Sequence, residues 1–199
     1  IANELGTQIK TCTGPTLEKA GDLASLLTNL EDGDILFLDE CHRMNKAVME
    51  MLYPALEEFQ LHLVMGKGPM ARTMDLDLPR FTLIGATTRM ALLPAPFRNR
   101  FGAIFQLQFY AQEEIEQILR RSSALLQMPV DENALHLISS RSRYTPRIAN
   151  RILKRVRDFA TIEGSNKITR EIAQKAFKFL EIDELGLEPS DLRIVKTII

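Results

Sequence analysis

Apolar residues in the first hundred positions follow two rhythms. Unbroken runs, Ile35-Leu36-Phe37-Leu38 and Phe81-Thr82-Leu83-Ile84-Gly85-Ala86, read as strands buried on both faces of a parallel sheet. Before and between them the spacing turns helical. Residues 17–30 are weakly periodic, and Met44, Val48, Met51, Leu52, Ala55, Leu56 and Phe59 share one helical face. Pro54 lies inside that second stretch and is expected to kink or divide it. Residues 8–11 form a short strand candidate and residues 103–109 another. Two alternating pieces, Gln60–Met65 and residues 72–78, flank Gly66-Lys67-Gly68-Pro69-Met70-Ala71 and predict a β-hairpin.

The rhythm changes at Tyr110-Ala111, after which every periodic stretch is helical. Ile115, Ile118, Leu119 and Leu126 mark one helix. Asp131 is placed to cap a second over residues 134–140. Thr145-Pro146 opens a third, with Thr as N-cap and Pro in the first turn, and Ile148, Ala149, Ile152, Val156, Phe159 and Ala160 form its stripe up to Gly164. Thr169 caps a fourth, carrying Ile172, Ala173, Ala176, Phe177 and Leu180. The pattern predicts an α/β domain with a parallel sheet flanked by helices, then a small all-α bundle. The expected divisions are residues 1–110, 111–182 and 183–199, the last resembling the start of a further unit.

Composition adds bounds. The 199 residues carry 45% hydrophobic and 26% charged positions with a net charge of −1, so whole-chain charge does not announce a nucleic-acid partner. No apolar run approaches the ~18 residues of a membrane span. Two cysteines, Cys12 and Cys41, give no disulfide framework, and with His42 they lack the fourth ligand of a structural zinc site. An intracellular, cytoplasmic protein is the simpler expectation. The charge is uneven. Seven basic residues and no acidic one fall between Arg141 and Arg157, either as a solvated helix face or as a phosphate-facing surface. The chain opens on Ile1-Ala2-Asn3-Glu4-Leu5-Gly6, which reads as the end of a helix stopped by Gly6 and points to an internal fragment.

The chemistry concentrates where the first apolar run meets Asp39 and Glu40. Two carboxylates at the C-terminal end of a buried parallel strand occupy the place where open α/β sheets bind ligands. In nucleotide hydrolases this is the Walker B pattern: the Asp holds the Mg²⁺ shell and the Glu orients or deprotonates the attacking water. The companion phosphate cradle, G-x-x-x-x-G-K-S/T, does not occur in the 199 residues, so this stretch alone is expected not to turn over ATP. Thr88 ends the next buried strand, level with the carboxylates, and either holds the water or γ-phosphate or simply closes the strand. Arg100, in Arg98-Asn99-Arg100-Phe101-Gly102, is either a surface cation or an arginine finger for a neighbouring subunit, a device worth ~10³–10⁵ in rate. Arg147 stands at a helix N-terminus, a natural phosphate site. Around the hairpin tip, Leu63, Met65, Met70 and Met74 are expected to be exposed as a protein contact, or to pack on the domain.

These segments together resemble the RuvB family of AAA+ motors. The resemblance rests on Asp39-Glu40-Cys41-His42-Arg43, Met51-Leu52-Tyr53-Pro54-Ala55, Gly66-Lys67-Gly68-Pro69, the FTLIGATTR stretch at 81–89, Arg98–Gly102, and TPRIANR at 145–151. Val156-Arg157-Asp158-Phe159-Ala160 and Asp183-Glu184-Leu185-Gly186-Leu187 continue it. It implies ATP and Mg²⁺ as cofactors, Asp39 and Glu40 as the Walker B pair, Thr88 as sensor 1, Arg100 as a finger acting in trans and Arg147 as sensor 2. It also implies that Glu57, Glu58, Phe59 and Tyr110 line or approach the nucleotide. The 61–78 hairpin would be the arm for the partner RuvA, and residues 183–199 the first helix of a winged-helix DNA-binding domain. The implied protein is a homohexameric ring on duplex DNA that drives Holliday-junction branch migration, with a resolvase complex as a further partner. Two departures stand out: Cys41 replaces an Ile or Val, and Tyr144 replaces a Gly. The rival expectations are another AAA+ protein such as a clamp-loader subunit, and a P-loop-less subunit acting only through protein contacts.

Overall fold

The computed structural model describes residues 2–65 and 72–198, the side chains at 64, 65 and 72 excepted. The chain divides into two compact units, Ile1–Phe105 and Gln106–Ile199. The first is an α/β domain and the second is helical.

In the first unit, helix α1 (Ala2–Leu5) leads into strand β1 (Ile9–Thr13), helix α2 (Ala20–Thr28) and strand β2 (Ile35–Asp39). Helix α3 (Lys46–Glu57), the hairpin β3 (Gln60–Met65) and β4 (Arg72–Asp77), strand β5 (Thr82–Gly85) and the short helix α4 (Ala95–Arg98) follow. A three-stranded parallel sheet runs in the order β1-β2-β5. β2 is its centre, which explains the unbroken apolar run: Ile35, Leu36 and Leu38 are each 1% exposed. Register places Thr13 beside Asp39 and Gly85 beside Leu38, so all three strands end at one polar rim. Leu23, Leu27, Leu52, Ala55, Leu61 and Phe97 fill the core of this unit.

Two expectations change here. α3 is not divided at Pro54. The proline removes one helix bond, its own to the Glu50 carbonyl, and the helix runs on because Leu52 and Ala55 on either side of it are fixed in the core. Residues 103–109 form no strand. Their alternating apolar side chains point into solvent, with Phe105 82%, Leu107 92% and Phe109 80% exposed. Alternation without a neighbouring strand among the described residues gives no ladder to hold it. The hairpin side chains divide between the two alternatives for them: Leu63 packs half-buried against the core, while Met74, paired with it across the hairpin, is 40% exposed. Met70 and the side chain of Met65 lie outside the described residues.

The second unit comprises α5 (Gln112–Leu125), α6 (Glu132–Ser140), α7 (Pro146–Ile162), α8 (Arg170–Phe179) and α9 (Pro189–Ile198). Asp131 and Thr169 cap α6 and α8, accepting from Ala134 N–H at 2.8 Å and Ile172 N–H at 3.4 Å. Thr145 sits at the N-cap of α7, but its hydroxyl donates to the Arg143 carbonyl instead of capping the helix. The core holds Ile115, Leu119, Leu135, Leu153, Val156 and Phe177. Gly186 is fixed in identity: its φ is 76°, and a Cβ there would lie 2.1 Å from the Arg141 carbonyl oxygen. No helix among the described residues is long and apolar enough to cross a membrane.

Candidate functional site

Asp39 is the last residue of the central strand and its carboxylate stands clear of the core. Its Oδ1 accepts the Glu40 N–H at 2.9 Å; Oδ2 has no protein partner among the described residues. Glu40 turns the chain abruptly, with φ 51° and ψ 39°. A non-glycine residue there costs of order 1 kcal/mol, and such positions cluster at functional sites. The neighbours impose the turn. The amide of Cys41 donates to the Ala86 carbonyl at 3.0 Å, and the amide of Ala86 donates to the Leu38 carbonyl at 2.9 Å. On the other side, a Cβ at Gly14 would lie 2.5 Å from the Glu40 carbonyl oxygen, so only glycine permits the end of β1 to approach this closely.

Thr88 lies on the loop after β5, three residues beyond Gly85, and is exposed near this rim. Its neighbour Thr87 makes the bond that joins the loops: Oγ1 is 2.8 Å from His42 Nδ1. His42 Nε2 is in turn 3.6 Å from a Glu40 carboxylate oxygen. Neither His42 nor Thr87 was expected at the site from the sequence; the signal was a His two places after Glu40 and a doubled Thr after the second apolar run, whose strand β5 is only half-buried at its centre. Burial pushes the Cys41 thiol up, and the negative charges of Asp39 and Glu40 add to the shift. A neutral, 1% exposed thiol packs as a small apolar group, consistent with its place beside Gly85.

Arg100 is held within its own unit. Its guanidinium lies 3.1 Å from Glu57, donates to the Pro96 carbonyl at 2.6 Å and stacks 4.1 Å from the Tyr53 ring centroid. Its Nε is buried without a partner, a polar atom left in reserve. Glu57 and Arg100 are therefore brought together, whereas Phe59 packs edge-on against Phe81, beside the start of β5 and away from the Asp39 rim. Phe59 takes φ 55° where α3 ends, and Glu58 is the exposed C-cap of that helix.

In the second unit most of the basic stretch is neutralised locally. Arg143 pairs with Asp191, Arg151 and Arg155 with Glu188, and Arg157 with Asp158. Arg141 stacks on Phe177. Arg147, in the first turn of α7, is exposed and makes no ion pair among the described residues. The loop before it has Arg143 at φ 51° and Tyr144 at φ 54°, so the position where a Gly would be expected does demand the left-handed conformation. The Tyr144 carbonyl accepts the Tyr110 N–H at 3.3 Å, tying Tyr110 to the Arg147 loop.

A family model for the Holliday junction DNA helicase RuvB P-loop domain matches residues 1–107. The chain belongs to the RuvB family. The model for the RuvB AAA lid domain matches residues 110–183, and membership sets aside the clamp-loader alternative. Two curated relatives are each called Holliday junction branch migration complex subunit RuvB. The one from Kosmotoga olearia is 52% identical over 199 residues, covering 100% of this chain and 58% of the relative. The one from Dehalococcoides mccartyi is 54% identical, covering 100% of this chain and 57% of its own length. The chain thus spans somewhat more than half of these relatives. Among solved structures, the Thermotoga maritima RuvB Holliday junction branch migration motor superposes with a TM-score of 0.86 at 45% identity, over 100% of this chain and 61% of that one. A single-substitution variant of it gives 0.88.

The donor set suits a magnesium nucleotide. Among the described residues no three His, Cys, Asp or Glu side chains converge as a metal cage. Mg²⁺ at phosphates is commonly held by one or two carboxylates with its waters retained, which the open Oδ2 of Asp39 fits.

Proposed function

We propose that the protein containing this chain is an ATP-driven DNA motor that moves Holliday junctions, acting in recombination and repair as a homohexameric cytoplasmic ring. Family membership over the whole chain carries this reading, and the strand-end pair Asp39-Glu40 supplies its chemistry. Bound Mg²⁺ would neutralise phosphate charge during transfer. Asp39 holds the cation's water shell through its open oxygen. Glu40 orients the attacking water and accepts its proton. Thr88, on the loop beside them, hydrogen-bonds the water or the γ-phosphate.

Arg147, exposed at a helix N-terminus with most neighbouring cations paired, contacts phosphate. Tyr110 and the Glu57-Glu58-Phe59 segment approach the nucleotide. Arg100 acts on a neighbouring subunit's nucleotide, and to do so it exchanges Glu57 and the Tyr53 ring for phosphate. Head-to-tail contacts of this kind close only as a ring.

The hairpin bearing Leu63, Met65, Met70 and Met74 docks RuvA, with Met74 contributing exposed apolar surface. Residues 183–199 begin a winged-helix DNA-binding domain, and the domains follow the 1–110 and 111–182 divisions. A resolvase would engage the same junction complex.

The test is a synthetic four-way junction incubated with the full-length protein, RuvA and ATP. The reading expects heteroduplex products that need ATP and all three components. No junction movement under conditions where the protein binds DNA and ATP would contradict it. The 199-residue chain alone, which lacks the phosphate cradle, is expected to hydrolyse no ATP above background.

A further inference from the structure

The imidazole of His42 joins two loops while almost wholly enclosed, its side chain 5% exposed. Nδ1 lies 2.8 Å from Thr87 Oγ1, and Nε2 lies 3.6 Å from Glu40 Oε2. Thr87 Oγ1 also accepts the Arg89 N–H at 3.0 Å. These partners select a tautomer. A proton on Nδ1 would leave the Nε2 lone pair facing a carboxylate, acceptor against acceptor. A proton on Nε2 instead aims a donor toward Glu40 across 3.6 Å, a contact slightly longer than a hydrogen bond, and leaves Nδ1 to accept the Thr87 O–H.

The Glu40 carboxylate has no other side-chain partner among the described residues, and its side chain is 36% exposed. A glutamate at a solvent-open rim samples many rotamers unless something holds it. The backbone clamp at Gly14 and Ala86 fixes where the Glu40 side chain starts, and it leaves the carboxylate end unfixed.

We infer that His42 is a positioning residue for Glu40: its Nε2 edge faces the carboxylate at 3.6 Å and attracts it electrostatically, and its Nδ1 bond to Thr87 ties that edge to the Thr87-Thr88 loop. The inference rests on the reading of Glu40 as the group that orients the attacking water. It makes the two loops one unit, so that a shift of the Thr87-Thr88 loop on contact with phosphate re-aims Glu40. His42 itself touches neither nucleotide nor water.

The experiment compares His42→Ala, His42→Gln, His42→Asn and Thr87→Val in the full-length protein. Single-turnover ATP hydrolysis, ATP affinity and melting temperature are measured for each. The Gln amide reaches the Nε2 position and the Asn amide the Nδ1 position. His42→Ala is expected to slow hydrolysis about tenfold with ATP affinity within about twofold of wild type, less than the ~10² lost when a catalytic group is misplaced outright. His42→Gln recovers more of the rate than His42→Asn, and Thr87→Val gives a smaller loss. Nitrogen-15 shifts of the wild-type ring are expected to report a proton on Nε2.

A wild-type rate in His42→Ala overturns the inference. So does equal loss in the Gln and Asn variants accompanied by weakened ATP binding, which marks a purely structural histidine. If His42→Ala does not fold, Thr87→Val and the ring shifts decide, and an Nδ1–H ring overturns the inference. Glu40→Gln separates the two levels. Wild-type hydrolysis there sinks the reading of Glu40 itself, whereas loss there with a wild-type rate in His42→Ala sinks only the role of His42.

Discussion

Glu40 and Tyr144 share an unusual backbone, with φ of 51° and 54°, but are held by different means. Glu40 is clamped by backbone: Gly14 crowds its carbonyl, and the amide of the next residue is fixed to the Ala86 carbonyl just beyond β5. Tyr144 sits in a looser turn. Its carbonyl takes the Tyr110 amide at 3.3 Å, and the neighbouring Arg143 pairs with Asp191 at the protein surface. At Glu40 the strained residue itself carries the proposed chemistry. At Tyr144 the strained residue precedes the turn that carries Arg147, the proposed phosphate contact, and is itself 53% exposed. Strain marks both places, and only the neighbours tell reactive residue from scaffold.

The comparison is broken first at Glu40. Glu40→Gln keeps the shape and removes the base, so steady-state ATP hydrolysis by the full-length protein should fall by ~10²–10⁴, the range of general-base contributions. Gly14→Ala attacks the clamp instead. A methyl 2.5 Å from the Glu40 carbonyl must displace it, with a destabilisation of about 1–3 kcal/mol from overpacking, read by chemical denaturation, and a drop in hydrolysis of about 10² from misplacement.

Tyr144 should respond in the opposite direction. Tyr144→Gly removes a left-handed penalty of about 1 kcal/mol, less the entropy that glycine returns to the unfolded chain. The melting temperature should stay level or rise by a few degrees, while hydrolysis changes little. A large loss of ATP affinity in that variant would show that the tyrosine ring takes part in the site.

The smallest effect is chemical. Because burial raises the Cys41 thiol, only the neutral, unreactive form persists near pH 8, and alkylation there should be far slower than at a free thiol. Stability should decline as pH rises through the unfolded thiol value of about 8.5, since the unfolded chain then releases the proton that the folded one keeps.

The sequence showed the central sheet and the bundle clearly because both rely on local patterns. β2 lies between two strands and needs apolar residues throughout, and α7 repeats its apolar positions at helical spacing. Residues 103–109 misled because alternation describes a strand's faces and says nothing of its neighbours. Pro54 does not divide its helix because the core packing of Leu52 and Ala55 around it outweighs the one helix bond it removes. At the site, Asp39 and Glu40 were legible as carboxylates closing an apolar run. The His42–Thr87 bond was not, since it joins residues 45 positions apart through a fold no local pattern encodes. Nor was the pairing of Arg100 with Glu57, which places a proposed trans-acting group against its own domain.

The claim that the end of β2 is the hydrolytic centre is tested most directly by single-turnover hydrolysis in full-length Glu40→Gln, with ATP binding measured in the same sample. The account predicts ATP bound at near wild-type affinity and cleaved at least ~10²-fold more slowly. Cleavage at the wild-type rate would contradict it.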